Sequence, residues 1–269
     1  MSNLSAAPAE WAGRAYGASD ESRHSLARCS FSEPTYNEVR GSSQLSTQGK
    51  TTNRGSINVL TFATFMIALL ALLLFIWLGR AVLADSTQDF DHRIRMAVYQ
   101  RSSQPITYLM KGVTELGATQ FLLPATACVV IILLRFEQPV SALLFVILME
   151  GAVLLDITAK HTVRRVRPIP FFGLDSARSY SFPSGHALFS LCFFTAVGVF
   201  ITIHVRSRRS AALTWTIVVL LIGLIGLSRI YLGIHYPVDV LGGYAAGLAW
   251  TGFIMGIHRT LQQNSSLMD

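Results

Sequence analysis

Three short stretches of this 269-residue chain concentrate basic and imidazole side chains. The first is KHTVRRVRP, in which Lys160 is followed by Arg167 and Pro168. The second is PSGH, from Pro183 to His186. The third is SRIYLGIHYPVD, which carries Ser228, Arg229, His235 and Asp239. A phosphate group would use all of them. The guanidinium forks of Arg167 and Arg229 match phosphate oxygens, and the Lys160 ammonium adds a point charge. Ser184 stands at an N-cap, and the free N–H groups of the turn it opens form an anion site with the helix dipole behind it. Such donors stabilise the charge spread over a phosphoryl group in transfer. The histidines divide the remaining work. His235 has Asp239 four residues on, and a carboxylate that fixes one ring nitrogen leaves the other as a directed nucleophile. His186, at a helix start, is placed to protonate the leaving oxygen and then to activate water.

The elements that must carry these groups are membrane spans. Hydrophobic residues make up 51% of the chain and charged residues only 14%, against roughly 25% charged in a soluble domain. Six apolar runs approach the 20 or so residues that cross a bilayer, at Ile57–Leu78, Leu116–Leu134, Val140–Ala159, Ser184–His204, Ala211–Leu232 and Val238–Ile257. Residues 80–115 mix charge with short apolar patches and read as one or two interfacial helices. The expected architecture is therefore all-α: an integral membrane bundle of six transmembrane helices over residues 56–260. A polar, disordered N-terminal tail is expected over 1–55, with no recognisable secretory signal peptide, and a short C-terminal tail over 261–269. Following the chain up the third span, down the fourth and up the fifth brings the three polar stretches to one membrane face. An ionisable group within a membrane costs roughly 2.5–3.5 kcal/mol, so several at one depth mark a functional site.

Orientation follows the positive charges. Arg206, Arg208 and Arg209 after the fourth span, Lys50 and Arg54 before the first, and Arg259 after the sixth all fall on one side, which the positive-inside rule makes cytoplasmic. The polar stretches then face the extracytoplasmic side of a plasma membrane, with both termini in the cytoplasm. The loop between the third and fourth spans is also basic, against the rule, and phosphate binding accounts for that charge.

Lys160-x6-Arg167-Pro168, Pro183-Ser184-Gly185-His186 and Ser228-Arg229-x5-His235-x3-Asp239 together resemble the tripartite signature of the type 2 phosphatidic acid phosphatase (PAP2) superfamily. That superfamily includes membrane lipid phosphatases and, more distantly, vanadium haloperoxidases; six spans argue against the latter. The resemblance covers residues 160–239 in its motifs and about 57–258 in its six-span plan. It implies that His235 is the nucleophile of a phosphohistidine, that Asp239 orients it, and that His186 is the general acid. It further implies that Lys160, Arg167, Ser184, Gly185 and Arg229 bind the phosphate and that neither metal nor cofactor takes part. The chain also lacks an evident carboxylate cluster for Mg²⁺.

The resulting expectation is hydrolysis of a lipid phosphate or diphosphate, with undecaprenyl diphosphate as first choice. Phosphatidylglycerophosphate, phosphatidate, lipid A phosphates and phosphotransfer to a second lipid stay open. A reading of another class is a binder or translocator of polyprenyl phosphates, which would need neither both histidines nor Asp239. No nucleic acid or obligate protein partner is expected. No Cys is followed six residues later by Arg and no Asp-x-Asp-x-Thr occurs, so other phosphatase chemistries are not indicated.

Several further residues have structural readings. Asp156 lies one turn before Lys160 and is expected to pair with it. Glu150, deep in the third span, is expected to make a buried hydrogen bond. Arg164, Arg165 and Arg178 suit headgroup contacts or solvated charge. Phe171, Phe172 and Leu174 suit either a lid or the membrane interface, with the interface as the expectation. Gly243-x3-Gly247 and Gly252-x3-Gly256 are expected to let helices approach closely. A topology reporter fused after Arg209 should read cytoplasmic in whole cells; an external signal would overturn the orientation.

Overall fold

The computed structural model describes residues 36–175 and 178–268, with side chains described only between residues 59 and 263. The tail expected over 1–55 lies outside the described residues up to residue 35, and from Tyr36 to residue 58 only a helical backbone is described. The description below concerns the unit Thr51–Asp269. Its elements are helices α1 (Tyr36–Leu83), α2 (Gln88–Gln100), α3 (Gln104–Glu115), α4 (Thr119–Arg135), α5 (Pro139–Val163), α6 (Gly185–His204), α7 (Arg208–Tyr231) and α8 (Pro237–Met268). Among the described residues there is no strand.

Local signals set the boundaries. α2 opens with Asp89 and Asp91 in its first turn, where the helix dipole favours acids. α3, α5 and α8 each begin with proline in the first turn, where the missing N–H costs nothing. α5 ends at Arg164, whose left-handed backbone (φ 52°, ψ 33°) turns the chain into the loop that leads to α6.

Five helices are long and apolar enough to span a membrane: Val59–Leu83 within α1, then α5, α6, α7 and Pro237–Gln263 within α8. The expected second span differs. α4 alone has 17 residues, about 25 Å at 1.5 Å per residue, short of the hydrocarbon core. It serves as a span only together with α3, from which it bends by 44°. The bend is packed: a side chain on Gly117 would place its Cβ 2.6 Å from Ile225 Cγ2 and 3.2 Å from His186 Cδ2. The expected interfacial segment forms α2 and α3.

The helices meet through an apolar core and close backbone approaches. Leu148 and Ala152 of α5, Leu188, Cys192 and Phe193 of α6, and Ala246 and Ile254 of α8 form the main cluster. The glycines of α8 serve two neighbours. A Cβ on Gly243 would stand 2.5 Å from the Ser184 carbonyl oxygen, and one on Gly247 would stand 3.1 Å from that of Leu188, both on α6 or its cap. Gly252 and Gly256 instead accept Ala68 and Phe65 of α1. Outward faces are apolar, as hydrocarbon solvent requires, and an 18-residue stretch of the membrane-spanning part of α1 is only 11% buried.

Three backbone hydrogen bonds gather the helix ends that carry the polar stretches. Ser181 N–H donates to Arg165 O (2.8 Å), Ser184 N–H to Asp239 O (2.9 Å), and Phe171 N–H to Leu232 O (2.9 Å). The α6–α7 link with Arg206 and Arg208 lies at the other end of those helices. The loop between α5 and α6 is also clamped sideways. Phe172 stacks on Tyr231 at 5.5 Å, Phe171 lies 4.4 Å from the Tyr99 ring, and Leu174 packs on the buried Met110–Tyr231–Leu232 cluster. These residues pack as a satellite core over α2, α3 and α7. Glu150 departs from expectation, since it is exposed on the outer face of α5 rather than buried.

The Gly243 contact is with backbone, which cannot swing aside. Gly243→Ala should lower the thermal unfolding midpoint in detergent, at a cost of about 1–3 kcal/mol, and Gly247→Ala should do so less. Equal midpoints for the two variants would contradict the α6–α8 packing.

Candidate active site

The centre of the site is Asp239, in the first turn of α8 and fully buried. Burying a carboxylate is costly unless its lone pairs are used, and here they are. Oδ1 accepts from Arg165 Nη1 at 2.8 Å. Oδ2 accepts from Ser181 Oγ at 2.5 Å and from the Tyr236 N–H at 2.9 Å, and lies 3.4 Å from His235 Nδ1. His235 precedes α8 and is 1% exposed. Its Nε2 lies 3.0 Å from Arg167 Nη1. Arginine has no acceptor, so Nε2 must accept, and the ring proton is on Nδ1, facing Asp239 and Ser181. Burial pushes the His235 pKa down to about 4; Asp239 opposes that shift, while Arg167 and Arg229 add to it. The imidazole is thus neutral near pH 7, with its Nε2 lone pair directed at the cationic side of the site.

The cations come from three segments. Arg167 is fixed by Ser179, its Nε donating to the carbonyl (2.8 Å) and its Nη2 to the hydroxyl (3.0 Å). Burial lowers its pKa, against the pull of Asp239 and Asp156. Arg229, in the last turn of α7, donates from Nη1 to Thr114 Oγ1 of α3 at 2.7 Å, while its buried Nε has no partner. Lys160 is held by Asp156 at 2.7 Å, as expected from their spacing. Arg229, His235, Lys160 and Arg167 all act electrostatically on His186, in the first turn of α6. The three stretches therefore meet at one end of the bundle.

Ser184 occupies the α6 N-cap, but its side chain makes no capping bond. Its buried hydroxyl is unpartnered and its N–H is already given to Asp239 O. The first intrahelical bond is made by the Leu188 N–H to Ser184 O (3.1 Å), which leaves the N–H groups of Gly185, His186 and Ala187 ahead of it. Gly185 is buried, and a Cβ there would stand 3.2 Å from Asp156 Oδ1, itself unpartnered. Buried donors without partners, namely Ser184 Oγ and Arg229 Nε, together with free helix N–H groups, describe a cradle suited to an anion.

Sequence reasoning missed several participants, among them Thr114 and Ser181, and above all Arg165 and Asp91. Arg165, expected to touch headgroups or water, turns inward. Besides Asp239 it donates from Nη2 to Asp91 Oδ2 (2.5 Å) and Thr87 Oγ1 (3.1 Å), and it stacks 4.0 Å over the Tyr236 ring. Burial alone would lower the Arg165 pKa, but Asp239 and Asp91 outweigh it and raise it. Asp91 is also fully buried and accepts the Val238 N–H at 3.0 Å, so it holds the start of α8 as well. A buried acid in the polar helix α2 leaves no trace in spacing. Arg165 was visible only as one basic residue among neighbours. By contrast Arg164 and Arg178 are exposed, consistent with solvated charge.

An all-helical, multi-span fold with this polar cluster at one end defines a membrane protein with a cationic site suited to an anion. Comparison with known proteins agrees with that class. Residues 139–263 match the PAP2 superfamily. Phosphatidylglycerophosphatase B of Bacillus subtilis is 29% identical over 192 residues, 71% of this chain and 94% of that one. An undecaprenyl-diphosphatase of Sulfolobus acidocaldarius is 29% identical over 152 residues, 54% of this chain and 67% of that protein. The crystal structure of a transmembrane PAP2-type phosphatidylglycerolphosphate phosphatase from Bacillus subtilis superposes with a TM-score of 0.67 at 29% identity, covering 72% of this chain and 96% of the other. Residues 139–263 thus carry a PAP2 superfamily domain, and the relatives and the structural neighbour that resemble the chain are phosphatases.

Arg165 reaches the site only through Asp239, and a cavity of about 1000 Å³ lined by Arg95, Arg164, Arg165 and Tyr236 adjoins it. Arg165→Ala should lower kcat by about tenfold or more, as removal of an orienting partner does. Tens of millimolar guanidinium should restore part of it, while neutral, planar urea should not. Full activity in the untreated variant would remove Arg165 from the site.

Proposed function

We propose that the chain hydrolyses a lipid phosphate or diphosphate through a covalent phosphohistidine. The observation that carries this reading is the geometry of His235: its Nε2 must accept from Arg167, and its proton faces Asp239. In the first step His235 Nε2 forms a bond to phosphorus as the bond to the lipid oxygen breaks, and His186 gives that oxygen a proton. Lys160, Arg167, Arg229, the Ser184 hydroxyl and the N–H groups at Gly185 and beyond hold the phosphoryl oxygens in both steps. In the second step His186 takes a proton from water, whose oxygen displaces His235 and releases inorganic phosphate. Asp239 stabilises the positive ring while the phosphoryl group is attached. No step calls for a metal.

Undecaprenyl diphosphate is the substrate we expect first, and the archaeal relative named undecaprenyl-diphosphatase supports it. The relative named phosphatidylglycerophosphatase B aligns over more of both chains and favours a second reading, hydrolysis of phosphatidylglycerophosphate. Both substrates present a terminal phosphate on a membrane-anchored lipid, which suits a site at one end of the bundle. The cationic α6–α7 link at the far end supports placing the site on the extracytoplasmic face of the plasma membrane, with both termini cytoplasmic. The lipid substrate is the partner this reading requires.

The test is release of inorganic phosphate from a panel of lipid phosphates and diphosphates, in chelator, by the purified protein and by His235→Ala. The expected result is turnover of at least one lipid by the native chain and loss of at least about a thousandfold in the variant, as for removal of a catalytic nucleophile. Unchanged hydrolysis by His235→Ala would end the covalent mechanism. A folded native protein that binds these lipids without releasing phosphate would return the translocator reading.

A further inference from the structure

Glu150 is the twelfth of the 25 residues of α5, so it stands within one residue of the helix midpoint. α5 spans the membrane, which puts this residue near the middle of the hydrocarbon. It is exposed, and no hydrogen bond or ion pair among the described residues engages it. Residues three, four and seven positions away share its helix face. That face is exposed and otherwise wholly apolar: Leu143 (60% exposed), Val146, Ile147, Val153, Leu154 (67%) and Ile157 (50%). The neighbours of α5 lie elsewhere around it. Gly151, next in sequence, already meets the Trp250 ring of α8, with its would-be Cβ 2.3 Å from Trp250 Cζ2.

A carboxyl group in contact with lipid tails is out of place whichever form it takes. As the ion it bears a charge in hydrocarbon, and as the acid it leaves a donor and an acceptor unmet. Polar groups at such positions are satisfied across helix–helix contacts. The chemistry of the stripe narrows the partner. A protonated carboxyl carries one donor and one acceptor, so it is complementary to another carboxyl related to it by a twofold axis. The rest of the stripe is aliphatic and offers no other directional contact. We infer that the outer face of α5, centred on Glu150, is the interface between two copies of this chain in the membrane, with the two Glu150 side chains paired across the dimer axis. The catalytic residues lie where the end of α5 and the start of α6 meet the end of α7 and the start of α8, far from Glu150 at mid-helix. Each copy keeps its own site, and the inference is independent of the substrate and of the covalent mechanism.

The experiment is energy transfer between donor- and acceptor-labelled copies of the full chain in liposomes, at protein-to-lipid ratios low enough for random encounters to be rare. The native chain and Glu150→Gln, which keeps a donor and an acceptor, should show transfer above the random baseline. Glu150→Leu should need about tenfold more protein per lipid to reach the same transfer, the size expected for losing the two hydrogen bonds of the carboxyl pair in a bilayer. Its phosphate release per chain should match the native protein, which shows that it has folded. A second measurement does not depend on that variant. With the native cysteines replaced by serine, Leu154→Cys on the stripe should cross-link between copies, and Leu220→Cys, exposed on α7, should not. Baseline transfer by the native chain, native-like association of Glu150→Leu, or preferential cross-linking through α7 would each overturn the interface.

Discussion

The site depends on a carboxylate that has been taken wholly out of water. Asp239 can be buried only because four donors from different parts of the chain converge on it: Arg165, Ser181, the Tyr236 N–H and His235. Arg165 in turn is tolerable in the interior because Asp91 shares its charge. Leaving any buried charge of this set unpaired would cost several kcal/mol, so the set is satisfied together or not at all. That requirement ties α2, the loop after α5 and the start of α8 into one block, and it fixes the His235 tautomer as a by-product. Orientation of the imidazole is therefore a property of the fold at this end rather than of the His–Asp contact alone, which at 3.4 Å is long for a hydrogen bond.

The membrane sets the second constraint. Apolar side chains gain nothing by leaving lipid for a protein interior, so helix association has to come from close packing. The glycines at 243 and 247 serve this need by letting α8 lie against the α6 backbone. The same helix pair is joined by the Ser184 N–H, which donates to the Asp239 carbonyl just ahead of the free N–H groups of α6. Packing and the candidate anion cradle thus share one helix pair. The bend at Gly117 has a similar dual character, since it gives room to His186 while α3 supplies Thr114 to Arg229. The same constraint makes the lipid-facing Glu150 conspicuous. The other two acids of the spanning helices, Asp156 and Asp239, are buried, and a carboxyl on the outer stripe of α5 calls for a partner outside the chain.

Much of the site was legible because its residues are short-range in sequence and chemically distinctive. Lys160 and Asp156 are one helical turn apart, and their pairing follows from that spacing. His235 and Asp239 flank the start of a helix opened by Pro237. The residues that escaped detection act over long separations: Asp91 meets Val238 across 147 positions, and Thr114 meets Arg229 across 115. Arg165 sits beside Arg164 and close to Arg167, yet Arg164 turns outward with a left-handed backbone while Arg165 turns in. No periodicity separates the two. The Ser184 hydroxyl was expected as a helix cap and is instead free, because the α6 N-terminus is held by the α8 backbone.

By itself the sequence determined the membrane-spanning class, the approximate places of five long apolar helices, and the basic and imidazole residues that the fold gathers at one end. Each of these depends on composition or on spacing within a few turns. Tertiary structure alone decided which arginines face inward, that α3 and α4 form a bent pair, that Phe171 and Phe172 pack over α2 and α7, and that Glu150 looks outward. Those outcomes depend on which helix faces meet, and burial of a charge is settled only when every partner is in place.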